Sequence, residues 1–162
     1  MSTFESKRVS YEYTQTNDAP PEKVFPLLCP VREADWVPGW QSRMIYSESG
    51  VAEDGCVFTT PNGSCPETVW MITHYDPVAF EIAFAWVEPG KIATQIRITL
   101  SQAPVGKTSA RICYFYTGLS PEGNAVLDRY TTEWFQSKMQ SWERAINHYL
   151  RNGNLIPKSG WD

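Results

Sequence analysis

The chain has little of what a metal site needs. Its 162 residues include only two histidines, His74 and His148, and its four cysteines show no C-x-x-C spacing. Zinc is normally held by four such ligands, or by three and a water. We therefore expect neither a metal nor another cofactor, and we expect free thiols that serve as small apolar side chains.

Long apolar runs and an excess of positive charge are also absent. No stretch approaches the roughly 20 apolar residues that a membrane helix needs, and residues 1–5 lack the apolar core of a signal peptide. The net charge of −4 argues against nucleic acid or an anionic membrane as the main partner. We therefore expect a cytoplasmic protein that does not insert into a membrane.

Aromatic side chains, by contrast, are abundant. Seven Trp, eight Tyr and seven Phe make up 14% of the residues, and hydrophobic residues make up 42%. Such a composition excludes disorder as the overall state. A length of 162 residues corresponds to one domain. We predict a single domain over residues 1–162 with a packed, aromatic-rich interior.

Hydrophobic periodicity predicts the order of the elements. Apolar and polar residues alternate from Lys7 to Gln15, which is typical of a half-buried strand. The prolines at 20–21 and the Pro38-Gly39 turn bracket two short helices. Turn signals then divide the middle of the chain into six further strands, at about 43–49, 55–60, 67–75, 79–87, 91–102 and 108–118.

The C-terminal part predicts one long helix. Residues 124–151 contain no proline, and their apolar residues recur at steps of three and four. Gly153 suits the end of this helix. The predicted fold class is therefore α+β: a seven-stranded antiparallel sheet covered by a long C-terminal helix, with two short helices after the first strand.

Turn chemistry predicts which strand residues share a face, because side chains alternate along a strand. An odd-numbered loop ending at Gly90 pairs Glu81 with Arg97, a second odd loop lies near residues 104–107, and a type I turn starts at Asp76. The predicted inner face comprises Val69, Met71, Thr73, Tyr75, Phe80, Ile82, Phe84, Trp86, Ile92, Thr94, Ile96, Ile98, Leu100, Ile112, Tyr114 and Tyr116.

The opposite face of the predicted sheet also carries apolar residues. Such a patch is more than a monomer normally leaves in water, so it suggests a homodimer through the outer sheet face. Its predicted members are Trp70, Ile72, Ala83, Ala85, Cys113 and Phe115.

One helix cannot fill the whole concave side of such a sheet. With its side chains an α-helix is only about 10–12 Å across, whereas a sheet of seven strands is wider and twisted. Two alternatives follow. Either the short helices and the large aromatic residues fill the remaining space, or a cavity survives there.

Several segments resemble the START-like, or SRPBCC, superfamily, which includes polyketide cyclases and relatives of the birch-pollen allergen. They are the Pro-Pro-Glu-Lys-Val-Phe run at 20–25, the Pro38-Gly39-Trp40 turn, the segment 50–60 and the aromatic C-terminal helix. The resemblance covers nearly the whole chain and implies a helix-grip fold with a hydrophobic cavity. In that family the cavity binds lipids, sterols, polyketides or plant hormones, and some members catalyse cyclisation or dehydration. The motifs carry no catalytic signature, and a fold does not fix a function.

The leading hypothesis is a binding protein for a small hydrophobic or aromatic molecule between the sheet and the C-terminal helix. Inward-pointing hydroxyl groups would orient the ligand, unless each of them is satisfied inside the core. The predicted ligand-binding residues are Met71, Thr73, Phe84, Trp86, Thr94, Ile96, Ile98, Tyr114, Tyr116 and Trp134.

Two alternatives belong to other classes. The first is an enzyme resembling polyketide cyclases or dehydratases, in which Glu67 is a weak candidate acid or base beside Tyr114 or Tyr116; a solvated glutamate at the strand end is the plainer interpretation. The second is a protein-interaction role similar to that of chaperone-activator relatives. Trp36 and Trp40, which bracket a turn, either gate a cavity or anchor a loop.

Overall fold

A computed structural model describes residues 3–161 of the chain. Seven strands form one antiparallel sheet in the spatial order β1-β7-β6-β5-β4-β3-β2. This confirms the predicted seven-stranded sheet. The strands are β1 (Arg8–Asn17), β2 (Arg43–Tyr46), β3 (Val57–Asn62), β4 (Cys65–Asp76), β5 (Glu81–Glu88), β6 (Ile92–Ala103) and β7 (Lys107–Gly118).

Helical segments stand at the two places that the sequence predicts. After β1 come α1 (Pro21–Val24) and the 3-10 turns Phe25–Leu28 and Arg32–Asp35; after β7 come α2 (Pro121–Leu127) and α3 (Thr132–Asn152). Two further 3-10 turns lie at 104–106 and 158–160. Within residues 3–161 no helix is long and apolar enough to cross a membrane.

The core lies between the inner sheet face and α3. Tyr11 of β1 stacks on Phe135 of α3 with ring centres 5.2 Å apart, and Tyr114 of β7 meets the same ring at 5.3 Å. Met139 and Ile146, one and three turns further along α3, are fully buried. The aliphatic residues of β5, β6 and β7 that face them are buried as well: Ile82, Ile96, Ile98 and Ile112.

The predicted single helix over 124–151 is wrong, because a cap interrupts it. Thr131 is extended, with φ −89° and ψ 165°, and its Oγ1 accepts a hydrogen bond from the Trp134 amide at 3.1 Å. A threonine in this arrangement begins a new helix. The hydroxyl of Tyr11 donates to the Tyr130 carbonyl just before the cap. The 21 residues of α3 span about 32 Å, and Gly153 ends the helix with φ +71°, as predicted.

The faces of β5, β6 and β7 agree with the prediction, although the register differs. Arg97 pairs with Ala83 rather than with Glu81, because Gly90, with φ +75°, lies at the centre of the loop and not at its end. The pairing is thus displaced by two residues. A displacement of two leaves every side chain on its predicted face, since the side-chain period is also two.

A β-bulge in β4 changes the faces of that strand. Ile72 pairs with Phe84 and His74 pairs with the neighbouring Ala83, so Thr73 is an extra residue without a partner on β5. An extra residue of this kind reverses the alternation on one side of the bulge. Residues after the bulge keep their predicted faces, and residues before it do not.

The inward orientation predicted for Met71 and Thr73 is therefore wrong. Met71 is 47% exposed and Val69 is 53% exposed, both on the outer face, and Thr73 is exposed at the bulge. Ile72 is fully buried and Trp70 packs against the core instead. The side chains on the two faces of the first part of β4 have exchanged places.

The same bulge removes two members, Trp70 and Ile72, from the predicted outer apolar patch. Phe115 does lie on the outer face, but two guanidinium groups cover its ring: Arg8 at 5.6 Å and Arg97 at 5.3 Å from the ring centre. Cation–π contacts of this kind satisfy an exposed ring without a protein partner. The homodimer through the outer sheet face stays a prediction.

Candidate ligand-binding cavity

A cavity of about 200 Å³ lies between the inner sheet face, the Arg32–Asp35 turn and α3. Aromatic and aliphatic side chains form most of its wall, and three polar groups interrupt it. Both sequence-based alternatives therefore occur together: aromatic residues fill part of the concave side, and a cavity survives in the rest. The lining residues are Glu33, Trp40, Phe58, Trp70, Phe84, Ile96, Ile98, Tyr114, Lys138 and Trp142.

On the sheet side of the cavity, aromatic rings pack against one another in a cluster. Phe58 stacks on Trp70 with ring centres 5.6 Å apart, and Phe84 meets both rings edge-on at 6.4 Å. The Trp70 indole N–H donates to Thr60 Oγ1 at 2.9 Å, which fixes the orientation of that ring. Stacked and edge-on pairs of this kind are the preferred arrangements of aromatic side chains. The wall presents both ring faces and ring edges to a ligand.

Two tryptophans hold the opposite wall. Trp36 is fully buried, donates from its indole N–H to the Leu27 carbonyl at 2.8 Å, and meets Trp142 of α3 edge-on at 4.9 Å. Trp40 lines the cavity and donates to the Pro30 carbonyl at 2.8 Å. Trp36 is thus an anchor of the loop, and Trp40 is a fixed part of the cavity wall.

Glu33 brings a carboxyl group into this apolar setting. The backbone holds it there, since the amides of Trp36 and Val37 both donate to the Glu33 carbonyl. The residue is only 5% exposed, and burial raises its pKa well above the usual value. No ion pair involves Glu33 within the part of the chain that the structure describes. A carboxyl in this state keeps its proton to a higher pH than an exposed glutamate does, and its protonated form can act as a donor.

Lys138 brings an amine to the same cavity from α3. Its Nζ lies 4.7 Å from the centre of the Tyr114 ring and 5.4 Å from that of Trp134. The residue is exposed as a whole, and its nitrogen lies against these two rings at the cavity that the residue lines. No carboxylate of residues 3–161 comes within salt-bridge distance of it. Desolvation lowers the pKa of Lys138 to about 8.

Tyr114 is the third polar group of the cavity. It is 6% exposed and lines the cavity wall. Burial, with a smaller contribution from the nearby Glu33 charge, raises the pKa of its hydroxyl. The phenol therefore keeps its proton and can donate a hydrogen bond. Carboxyl, phenol and amine thus meet in one apolar cavity.

Four of the predicted ligand-binding residues line the cavity: Phe84, Ile96, Ile98 and Tyr114. Trp86 faces inward but lies behind Trp70, with ring centres 5.6 Å apart. Met71 and Thr73, on the outside of β4, have no access to the cavity. The prediction of an aromatic, aliphatic and phenolic lining thus holds for the central strands.

The other three predicted residues lie beside the cavity rather than in its wall. Thr94 and Tyr116 are each 1% exposed, and their hydroxyl groups have no hydrogen-bond partner within residues 3–161. Trp134 is 36% exposed and stacks on Tyr130 at 4.1 Å. Tyr116 and Trp134 form, with Tyr130, an aromatic cluster next to the ammonium group of Lys138.

Glu67 lies in solvent, in agreement with the plainer interpretation, and not beside Tyr114 or Tyr116. Because Glu67 precedes the bulge, its side chain lies on the outer, solvated side, where Arg43 Nη2 donates to Glu67 Oε2 at 2.7 Å. This hydrogen bond is the main reason why the pKa of Glu67 is lowered. An ionised carboxylate in water cannot serve a cavity on the other face. The carboxyl group inside the cavity is that of Glu33.

Sequence analysis missed six of the lining residues or gave them another role. Trp70 was predicted outside, Trp40 beside a turn, and Phe58 was given no role. For Lys138 the sequence does hold a signal, because it lies four residues from Trp134 and four from Trp142 on the apolar side of α3. The remaining two are Glu33 and Trp142. Within residues 3–161 no three His, Cys, Asp or Glu side chains are grouped as metal ligands.

No protein-family model and no curated protein matches this chain. Solved structures do match it. One is Ara h 8.0201, with a TM-score of 0.62 and 17% sequence identity over 90% of this chain and 100% of that chain. Another is norcoclaurine synthase from Thalictrum flavum, with a TM-score of 0.66 and 12% sequence identity over 91% of this chain and 88% of that chain. The chain has the helix-grip fold. The Zhui aromatase/cyclase from Streptomyces shares this helix-grip fold, with a TM-score of 0.64 and 13% sequence identity over 93% of this chain and 100% of that chain.

At such identities the likeness is one of fold alone, and it confirms the helix-grip fold that the resemblance implied. The helix-grip arrangement also explains the position of the cavity. The sheet curves around α3, and the space that α3 leaves free lies beside the β3–β7 part of the inner face. What the site does follows from its own side chains rather than from its fold.

Proposed function

We propose that this protein binds a small aromatic molecule in the cavity between the sheet and α3. The observation that carries the proposal is the cavity itself: about 200 Å³, walled mainly by rings, with the polar groups of Glu33, Tyr114 and Lys138 facing it. A mostly apolar cavity with a few convergent polar groups is the usual form of a small-molecule site. Apolar contact at about 25 cal/mol per Å² would drive binding, and the polar groups would set the orientation.

The volume limits the size of the ligand. A cavity of about 150 Å³ suffices for benzene in other proteins, whereas sites for drug-sized ligands measure roughly 300–1,000 Å³. The cavity here lies between these values, at about 200 Å³. It favours one ring or two fused rings over a sterol or a long lipid chain.

A second candidate function is an enzyme related to polyketide cyclases, and Glu33 is the observation that favours it. It places in the cavity a carboxyl group whose pKa is raised by burial, the role for which Glu67 was the weak candidate. Two structural neighbours are named a synthase and an aromatase/cyclase. Mass analysis of a bound probe separates the two functions, because a binding protein returns the probe unchanged.

Filling the cavity should abolish binding. Ile98→Phe adds a ring at a residue that lines the cavity, where free volume can take it up. We expect calorimetric titration with 2-naphthalenemethanol to show at least a tenfold weaker affinity. The free energy of unfolding should change by less than about 1 kcal/mol, because the added ring occupies space that is already open.

Ile112→Phe is the matched control. Ile112 is the β7 partner of Ile98 in the sheet, equally buried, but it does not line the cavity. With no space to receive the ring, this variant should lose about 1–3 kcal/mol of stability and keep its affinity for the probe. Equal affinities for Ile98→Phe and wild type would show that the probe binds elsewhere and would overturn the proposal.

A further inference from the structure

The surroundings of Lys138 differ from those of the three lysines that form ion pairs. Lys7, Lys91 and Lys107 each lie beside a carboxylate, those of Asp128, Glu88 and Asp18 respectively, at the surface. Lys138 instead points its nitrogen at two aromatic rings, and it lines an apolar cavity. The positive charge of an ammonium group placed in this way is offset by aromatic rings alone and not by a carboxylate. The arrangement suits an amine that spends part of its time neutral.

A neutral amine in an apolar cavity is a nucleophile. Desolvation is one of the recognised ways in which proteins activate a lysine for attack on carbonyl compounds. With a pKa of about 8, about one Lys138 side chain in ten is neutral at pH 7. Burial raises the pKa of the other titratable groups that line the cavity, the Glu33 carboxyl and the Tyr114 phenol, so both favour their neutral forms.

We propose that the cavity captures aromatic aldehydes or ketones covalently, as an imine on Lys138 Nζ. This inference rests on the proposed function and specifies its ligand class. The ring of the ligand would lie against Phe58, Trp70 and Phe84, and its carbonyl group would point across the cavity to α3. Lysines outside the cavity offer neither the ring contacts nor the enclosed, proton-rich surroundings.

The step balances with the groups that are present. The lone pair of Nζ forms a bond to the carbonyl carbon as the carbon–oxygen π bond breaks. The oxygen takes a proton and the nitrogen loses one, which gives a carbinolamine. The hydroxyl group then leaves as water with a second proton, for which Glu33 and Tyr114 are the donors in the cavity, and the resulting iminium returns its N–H proton to that donor to give the imine. The sum is aldehyde plus amine giving imine plus water, with no change of oxidation state.

Reductive trapping tests the proposal. The protein is incubated at pH 7 with 2-naphthaldehyde and sodium cyanoborohydride, which converts an imine to a stable secondary amine. We expect a single adduct in the intact mass, located at Lys138 by peptide mapping, formed at least tenfold faster than at any surface lysine. The trapping rate should rise with pH up to about 8 and then level off, following the amine.

Two variants and one probe provide the controls. Lys138→Arg keeps a cation but cannot form an imine, and it should lose the adduct; Lys107→Met, at the surface, should keep it. 2-Naphthalenemethanol lacks the carbonyl group and reports binding alone. If it binds and no adduct favours Lys138, covalent capture is wrong and the proposed function stands. If neither compound binds, both the covalent capture and the proposed binding function are wrong.

Discussion

Replacing Trp36 by alanine should lower the free energy of unfolding by about 3–5 kcal/mol, the range for truncation of a large buried aromatic residue. Trp36 is fully buried, its indole N–H donates to the Leu27 carbonyl, and its ring meets Trp142 edge-on. The variant loses the ring contacts and leaves a buried carbonyl without its donor. Both losses act in the same direction.

Urea denaturation measures this effect, and Tyr46→Ala is the control. Tyr46 is 55% exposed on the edge strand β2, so its truncation should change the free energy of unfolding by no more than about 0.5 kcal/mol. A loss below about 1 kcal/mol in Trp36→Ala would contradict an anchoring role. It would mean that the loop containing Glu33 and Trp40 is held by other contacts.

Replacing Lys138 by methionine should make the protein more stable at pH 7. Burial lowers the pKa of Lys138 from 10.5 to about 8, so the folded state disfavours the charged amine that the unfolded state accepts. Because the side chain borders the cavity and the rings of Tyr114 and Trp134 offset part of this cost, we expect a gain of about 1–2 kcal/mol rather than the full value of the shift.

The pH dependence gives the sign of this effect. Between pH 8 and 10.5 the unfolded state binds more protons at Lys138 than the folded state does, so the stability of the wild type should rise through this window. The advantage of Lys138→Met should therefore be complete below pH 8 and vanish above pH 10.5. Thermal melts at pH 7 and pH 10.5 measure it, with Lys107→Met as a surface control. An advantage that does not change with pH would rule out desolvation as its cause.

The central hairpins could be predicted from the sequence because their faces depend only on parity. The loop around Gly90 was placed with an error that displaced the pairing by two residues, and Phe84, Ile96 and Tyr114 still face inward as predicted. Burial enforces this result, since a displacement by one residue would bring Arg97 into the core. Phe84, Ile96, Ile98 and Tyr114 face the cavity for the same reason.

Strand β4 shows where alternation fails. The faces of β4 were assigned by alternating inward and outward residues from the turn at Asp76 toward the start of the strand, which assumes a strand without a bulge. The large apolar residues lie at Trp70, Ile72 and Tyr75, with the polar pair Thr73-His74 between the last two. That interruption fits a bulge, and it was the available signal. Missing it placed Glu67 and Met71 on the wrong face.

The polar groups of the cavity could not be predicted from hydrophobic periodicity, because they are polar residues at buried positions. Glu33 lies in a short turn with the charged neighbours Arg32 and Asp35, a composition typical of a solvated segment. Only tertiary packing shows that its carboxyl group is the buried one. Lys138 is easier to predict from the sequence than Glu33, because it is a lysine on the apolar side of α3. Residues that violate the local pattern are frequently those that serve a site.

Nuclear Overhauser measurements on the protein with labelled isoleucine and methionine methyl groups test the central claim most directly. With 2-naphthalenemethanol bound, we predict contacts from the naphthalene protons to the methyl groups of Ile96 and Ile98, which line the cavity, and none to the Met71 methyl group. Contacts to Met71 on the outer sheet face, with none to Ile96 or Ile98, would contradict the account.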